Sequence, residues 1–121
     1  MIRRRILVAS ALAVVGLRAQ AAVNAIEAAR IERLIGYVET RRQATFIRNG
    51  TAHSCAEAAK FLRRKFDKIG EHVSTAAQFI DQIASRSSTG GQPYLFRFAD
   101  GRTVTAAQLL GDELRRMDRQ S

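Results

Sequence analysis

Residues 45–66 read TFIRNGTAHSCAEAAKFLRRKF, and this stretch predicts a β-hairpin followed directly by a helix. Thr45–Arg48 is short and rich in β-branched and aromatic residues, which favours a strand. The Asn49-Gly50 pair that follows is a strong signal for a two-residue hairpin turn. We therefore predict that the chain turns at Asn49-Gly50 and pairs back through Thr51–His53.

A helix is predicted immediately after the hairpin. Ser54 and Glu57 form an S-x-x-E capping box, in which each side chain satisfies a free backbone N–H of the first turn. Gly70 is expected to close or bend the helix. Apolar residues at helical spacing predict its buried stripe: Ala59, Leu62, Phe66, Ile69 and Val73.

Further helices are predicted on both sides of this unit. The first covers about Asn24–Thr40, and two later ones begin at the capping pairs Thr75/Gln78 and Thr105/Gln108. The residues expected to face the core are Ile31, Leu34, Ile35 and Val38, then Ala76, Phe79, Ile80 and Ile83, then Leu109, Leu110, Leu114 and Met117.

A second hairpin is predicted near the C-terminus. Tyr94–Phe98 alternates between inward and outward positions, as in a half-buried strand. Asp100-Gly101 turns the chain, and Arg102–Val104 can pair back. The expected fold class is therefore α+β, with about four helices packed on a small antiparallel sheet of short hairpins.

The N-terminus has the order of a secretory signal peptide. Arg3–Arg5 is positive, Ile6–Leu17 is an uncharged apolar run, and Ala19–Ala21 supplies small residues for cleavage. The run of 12 residues is shorter than the ~20 that span a bilayer, although a retained anchor and a twin-arginine signal are alternatives. We predict a signal peptide at residues 1–21, a single globular domain at 22–121, and a periplasmic location.

Removal of the signal peptide changes the charge of the chain. The full sequence carries +9, and residues 22–121 keep 16 basic and 11 acidic residues, a net charge of +5. This charge favours anionic surfaces. An exported protein rarely meets nucleic acid, so we expect no nucleic-acid partner, and no membrane span after cleavage.

Five blocks of the sequence carry a family resemblance. They are Phe46–Gly50, Ser54–Ala58, Phe61–Lys65, Ala76–Asp81 and Ala84–Tyr94. In this order they resemble the YfeK-like small periplasmic proteins, a domain-of-unknown-function family. The resemblance covers nearly all of the chain after residue 21 and implies a periplasmic location, but no activity.

Cys55 is the first candidate site. It follows the Ser54 cap, where the helix dipole lowers a thiol pKa, and His53 is close enough to assist. The alternative is a small buried apolar residue. Because Cys55 is the only cysteine, no intramolecular disulfide is possible.

The Ser-rich loop and a nearby basic run are the other candidates. Hydroxyls and backbone N–H groups of Ser85–Gly91 suit an anion or a sugar, whereas helix termination and turn hydrogen bonds are the alternative. Arg63–Lys65, with Lys60 and Lys68, suits a phosphate-bearing lipid head group or an acidic partner, or is a solvated helix face. The predicted binding residues are Ser85, Ser87, Ser88, Gly90, Tyr94 and Arg63.

These features favour a non-enzymatic periplasmic binding or interaction module. The alternative is a small periplasmic enzyme that uses Cys55 or a loop serine; no base–nucleophile pattern supports it, so no catalytic residue is assigned. The histidines, His53 and His72, have no ligand spacing, and neither a metal nor another cofactor is expected. The expected partner is an unidentified periplasmic protein or an anionic component of the envelope.

Overall fold

The computed structural model describes residues 24–120, so the predicted signal peptide and its cleavage site lie outside the described residues. The described chain contains four helices and one antiparallel sheet, which confirms the α+β class. In chain order the elements are α1 (residues 24–39), β1 (Thr45–Arg48), β2 (Thr51–Ser54), α2 (Cys55–Ile69), α3 (Ala76–Phe79, continued by a π-helical turn at Ile80–Ala84), β3 (Leu95–Arg97), β4 (Thr103–Thr105) and α4 (Ala106–Arg119).

The sheet has the strand order β2-β1-β3-β4, so β1 and β3 are its central strands. Phe46 of β1 lies opposite Phe96 of β3, both side chains are buried, and their ring centroids are 5.3 Å apart. The predicted hairpin turn is confirmed, since Asn49 and Gly50 both have positive φ, 50° and 77°. Those angles match the type I′ turn that fits the twist of two paired strands.

The hydroxyl half of each predicted capping pair is confirmed, whereas Gln78 Oε1 accepts from the backbone N–H of Ser74 rather than from that of Thr75. The hydroxyl oxygens of Ser54, Thr75 and Thr105 accept hydrogen bonds from the backbone N–H three residues later, each at 3.1 Å. These bonds satisfy donors that the first helical turn leaves open. The π-helical turn after α3 was not predicted. It ends at Ala84, and the Ser85 hydroxyl then donates to the carbonyl oxygen of Asp81 at 2.6 Å.

The core lies between the sheet and the helices, and most of its residues were predicted. Ile69 was not correctly placed: it is 48% exposed, because its side of α2 borders a pocket. Four other predicted core residues are only partly buried, namely Phe66, Val73, Leu109 and Leu114. No helix within residues 24–120 is long and apolar enough to span a membrane. The largest fully buried side chains are Tyr94, Phe46, Phe79, Phe96, Leu34, Ile35, Leu62, Ile83, Leu110 and Val38.

Candidate functional site

A basic pocket of about 580 Å³ lies between α2, the β1 hairpin and the loop that precedes β3. The loop is held in place by its own backbone: Ser87 N–H donates to Gln92 O at 2.8 Å, and Tyr94 N–H donates to Ser85 O at 3.0 Å. The pocket therefore has a fixed wall. Its lining residues are Arg48, Asn49, Phe61, Arg64, Lys65, Lys68, Ile69, Ser87, Ser88, Thr89 and Tyr94.

Lys65 is the most unusual residue of the basic pocket. It is only 9% exposed, and its Nζ donates to Arg86 O at 2.8 Å and to Tyr94 Oη at 2.9 Å. Burial lowers the pKa of the Lys65 ammonium, and the nearby charge of Arg48 lowers it further. Both hydrogen-bond partners of Lys65 are neutral. Its charge is therefore costly to bury, because no opposite charge compensates for the lost water.

Arg48 places a second positive charge in the basic pocket, beside Lys65. Its guanidinium lies over the Phe61 ring, 4.1 Å from the ring centroid. The Phe61 ring in turn packs edge-on against the Tyr94 ring, with 5.7 Å between the two centroids. A stacked guanidinium is held in position while its N–H groups still point outward from the ring edge. The fold thus holds two like charges near each other.

The cationic surface extends beyond the basic pocket. A smaller pocket of about 270 Å³ shares Arg48, Phe61 and Arg64 with it and adds Lys60, as well as Glu57, whose Oε2 lies 3.7 Å from His53 Nδ1. Within residues 24–120, none of the cations on this surface forms an ion pair with a carboxylate. The five cations are Arg48, Lys60, Arg64, Lys65 and Lys68.

Lysine itself is rare in this chain. The sequence has 20 basic residues, and only Lys60, Lys65 and Lys68 are lysines. All three lie on α2 and line one of these two pockets. Arg63, by contrast, points elsewhere, since its guanidinium pairs with Glu32 at 3.1 Å. The lysines are therefore concentrated where the unpaired charge is.

The loop serines have different roles. Ser87 is buried, and its Oγ accepts from Asn49 Nδ2 and from the Thr89 N–H, both at 3.2 Å. Ser88 is exposed at the pocket wall. Of the six predicted binding residues, Ser87, Ser88 and Tyr94 line the basic pocket, whereas Ser85, Gly90 and Arg63 do not.

Cys55 lies in the core. It is 2% exposed, and its Sγ donates to Ala44 O at 3.3 Å. Burial raises the pKa of the Cys55 thiol, although the charge of Arg41 opposes the effect. The predicted lowering of this pKa was wrong, because the cost of burying a thiolate exceeds the favourable charge effects. The structure favours the alternative of a small buried apolar residue.

Two other possibilities for a site are weaker. A pocket of about 590 Å³ borders Arg41, Arg42 and Arg102, but it also contains Asp100, whose Oδ2 pairs with Arg102 Nε at 2.8 Å. Within the described residues, no group of three His, Cys, Asp or Glu side chains is arranged to hold a metal ion. The basic pocket is therefore the best candidate.

Comparison with known proteins places the chain in a family. Residues 25–118 match the family described as "Family of unknown function (DUF5329)". The chain belongs to DUF5329. It is also 46% identical over 78 residues to a Salmonella typhimurium protein described as "Uncharacterized protein YfeK". That alignment spans 64% of this chain and 65% of the relative, so it covers slightly less than two thirds of either. No solved structure matches the chain.

The YfeK-like resemblance is thus confirmed, and the DUF5329 family brings no assigned activity with it. Nothing in the sequence assigned Arg48 to a site, because it stands in a predicted strand. Lys65 belongs to the predicted basic run, but its burial and its contact with Tyr94 were not expected. One signal was present: Lys65 lies three residues after Leu62, on the inward side of α2, where a lysine is unexpected.

Proposed function

We propose that this DUF5329 protein is a non-enzymatic binding module of the periplasm that holds an anionic ligand in the basic pocket. The observation that carries the proposal is the buried Lys65 ammonium beside Arg48, with no carboxylate on the pocket wall. Removing a charge from water is unfavourable unless an opposite charge compensates it. A bound anion would supply that compensation.

A purely structural lysine would be expected to have a carboxylate partner. Elsewhere the chain pairs cations with carboxylates, as in Arg63 with Glu32. In the basic pocket the neighbours are instead neutral donors: the Asn49 amide and the exposed Ser88 hydroxyl. Amide and hydroxyl groups can add hydrogen bonds to an anion whose charge Lys65 and Arg48 balance. This arrangement supports binding rather than scaffolding.

The periplasmic part of the proposal rests on the signal-peptide pattern of residues 1–21. The full chain, expressed in a Gram-negative host, should be recovered with Ala22 as its first residue. N-terminal sequencing and the intact mass decide the point. A product that retains Met1 and stays in the membrane fraction would contradict export.

Anion binding can be tested by titrating the full chain with inorganic phosphate and following backbone amide signals by NMR. Sodium chloride at equal ionic strength is the control. We expect saturable shifts at Asn49, at Ser87–Thr89 and around Lys65. A response no larger than that to chloride, or one centred on Arg41 and Arg42, would refute the proposed site.

A further inference from the structure

Lys65 has the surroundings of a reactive amine. We propose that Lys65 forms a reversible imine with small aldehydes or keto acids that carry a phosphate or carboxylate group. This inference rests on the proposed anion pocket, which would hold the charged group of the compound. It adds covalent capture of a carbonyl to the binding of an anion.

The geometry at Nζ supports this chemistry. Arg86 O at 2.8 Å and Tyr94 Oη at 2.9 Å occupy two of the three directions left on the nitrogen beyond its carbon substituent. Lys65 is one of the residues that line the basic pocket, and our proposal places the third direction toward that pocket. In the neutral amine, with its two N–H bonds donated to those oxygens, this direction holds the lone pair.

The proposed reaction needs no other reactant. The lone pair of Nζ attacks the carbonyl carbon and forms a C–N bond, while the C=O π electrons move to oxygen and a proton passes from nitrogen to that oxygen. The resulting carbinolamine loses its hydroxyl as water and becomes the imine. Overall, one amine and one carbonyl give one imine and one water, and hydrolysis reverses the reaction.

Tyr94 is placed to assist the loss of water. Its hydroxyl lies 2.9 Å from Nζ, so it can give a proton to the departing hydroxyl and take one back from nitrogen. Burial raises the pKa of the Tyr94 phenol, against an opposing effect of Arg48. The phenol therefore keeps its proton near neutral pH and remains a proton donor.

The amine requires deprotonation before it can react, and its neighbours favour that form. The groups that face it are the Arg48 guanidinium from β1, the Tyr94 phenol and Arg86 carbonyl from the other wall, and Arg64 and Lys68 on α2. No carboxylate lines this pocket. Burial and then Arg48 lower the pKa of Lys65. A lysine desolvated beside another cation is a known form of activated amine.

The choice of lysine agrees with this role. Arginine supplies 17 of the 20 basic residues of the chain, and it stays protonated in proteins. An arginine would give the pocket the same charge, but only a lysine can become a neutral nucleophile. Arg48, Arg64 and Lys68 remain to hold the anionic group of the compound.

The test is reductive trapping on the full chain. Pyridoxal 5′-phosphate serves as the aldehyde with a phosphate, borohydride reduces the imine, and peptide mass spectrometry locates the label. Because the chain has only three lysines, each site is read separately. We expect most of the label on Lys65, protection by inorganic phosphate, slower labelling in Tyr94→Phe, and loss of the Lys65 label in Lys65→Arg.

Two further aldehydes define the ligand. Glyoxylate carries a carboxylate, and propionaldehyde carries no charge. Preferential labelling of Lys65 by pyridoxal phosphate or glyoxylate, but not by propionaldehyde, supports the inference and shows which anionic group the pocket accepts. The comparison between lysines in the wild-type chain does not depend on whether Lys65→Arg folds.

The two proposals fail in different ways. Equal labelling of all three lysines, or an unlabelled Lys65, overturns the imine proposal. If phosphate still binds at the basic pocket in the NMR titration, only the covalent step is refuted. If phosphate binding is also absent, the proposed function is refuted as well.

Discussion

Removing the charge of Arg48 should weaken anion binding without unfolding the protein. Methionine keeps an unbranched apolar side chain against the Phe61 ring, on which the guanidinium now stacks at 4.1 Å. Arg48 has no carboxylate partner within the described residues, and its charge acts against Lys65. We therefore expect Arg48→Met to change the free energy of unfolding by less than about 1 kcal/mol.

The loss of phosphate affinity follows from Coulomb's law. A unit charge ~5 Å from an anion contributes ~3 kcal/mol at an effective dielectric constant of ~20, before screening by salt and solvent. After screening, we expect the Arg48 charge to contribute about 1–2 kcal/mol to phosphate binding. Its removal should therefore weaken the Kd for inorganic phosphate roughly 5- to 30-fold. Isothermal titration calorimetry of the full chain at low ionic strength measures this Kd, and urea unfolding measures the stability of the variant.

Arg63→Met is the matched control, because it makes the same substitution at an arginine that does not line the basic pocket. Its guanidinium pairs with Glu32 at a partly exposed position. Losing that pair should cost at most about 1 kcal/mol of stability and leave the phosphate affinity unchanged. If Arg48→Met and Arg63→Met bind phosphate equally well, the account of the basic pocket is wrong.

Two matched pairs of variants test the structure around the pocket by urea unfolding. Gly36→Ala adds a Cβ in the interior of α1 with no atom within 4 Å, and it should stabilise the folded protein by ~0.5–1 kcal/mol. Gly70→Ala places a Cβ 2.4 Å from both the ring and the carbonyl oxygen of Phe66, and it should destabilise the folded protein by ~1–3 kcal/mol. Changes of the same sign would contradict the described packing. Ser87→Ala removes the hydroxyl that organises the loop and should cost ~1 kcal/mol, while the exposed Ser88→Ala should stay within ~0.5 kcal/mol. A larger loss for Ser88→Ala would mean that the roles of the two serines are reversed.

The local features of the fold were predictable because a few neighbouring residues determine each of them. Asn49-Gly50 supplies the positive φ angles of the hairpin turn, and the Ser54 hydroxyl caps the first turn of α2. The π-helical turn at Ile80–Ala84 carries no such local signal. It lies in a segment whose apolar spacing is also that of an ordinary α-helix, so the sequence predicted the helix but not its wider turn.

The candidate site was less predictable because it depends on packing between distant segments. Tyr94, the loop carbonyl of Arg86 and Lys65 are brought together only when the loop folds against α2. Ile69 continues the apolar stripe of α2 in sequence, yet it is exposed because its neighbour in space is a pocket. The position of Cys55 on α2 predicts a lowered thiol pKa, but burial by the rest of the chain raises that pKa instead.

In our proposal, Lys65 is a buried cation whose missing partner is a ligand anion. The most direct test of this proposal is NMR of the side-chain nitrogens in protein labelled with ¹⁵N-lysine, where three lysines give only three Nζ signals to assign. We expect Lys65 to titrate below the ordinary lysine pKa of ~10.4, because burial and Arg48 disfavour its charged form. A bound anion stabilises the ammonium, so inorganic phosphate should raise that pKa toward the ordinary value. A Lys65 signal that titrates normally, or that phosphate does not move, would contradict the account.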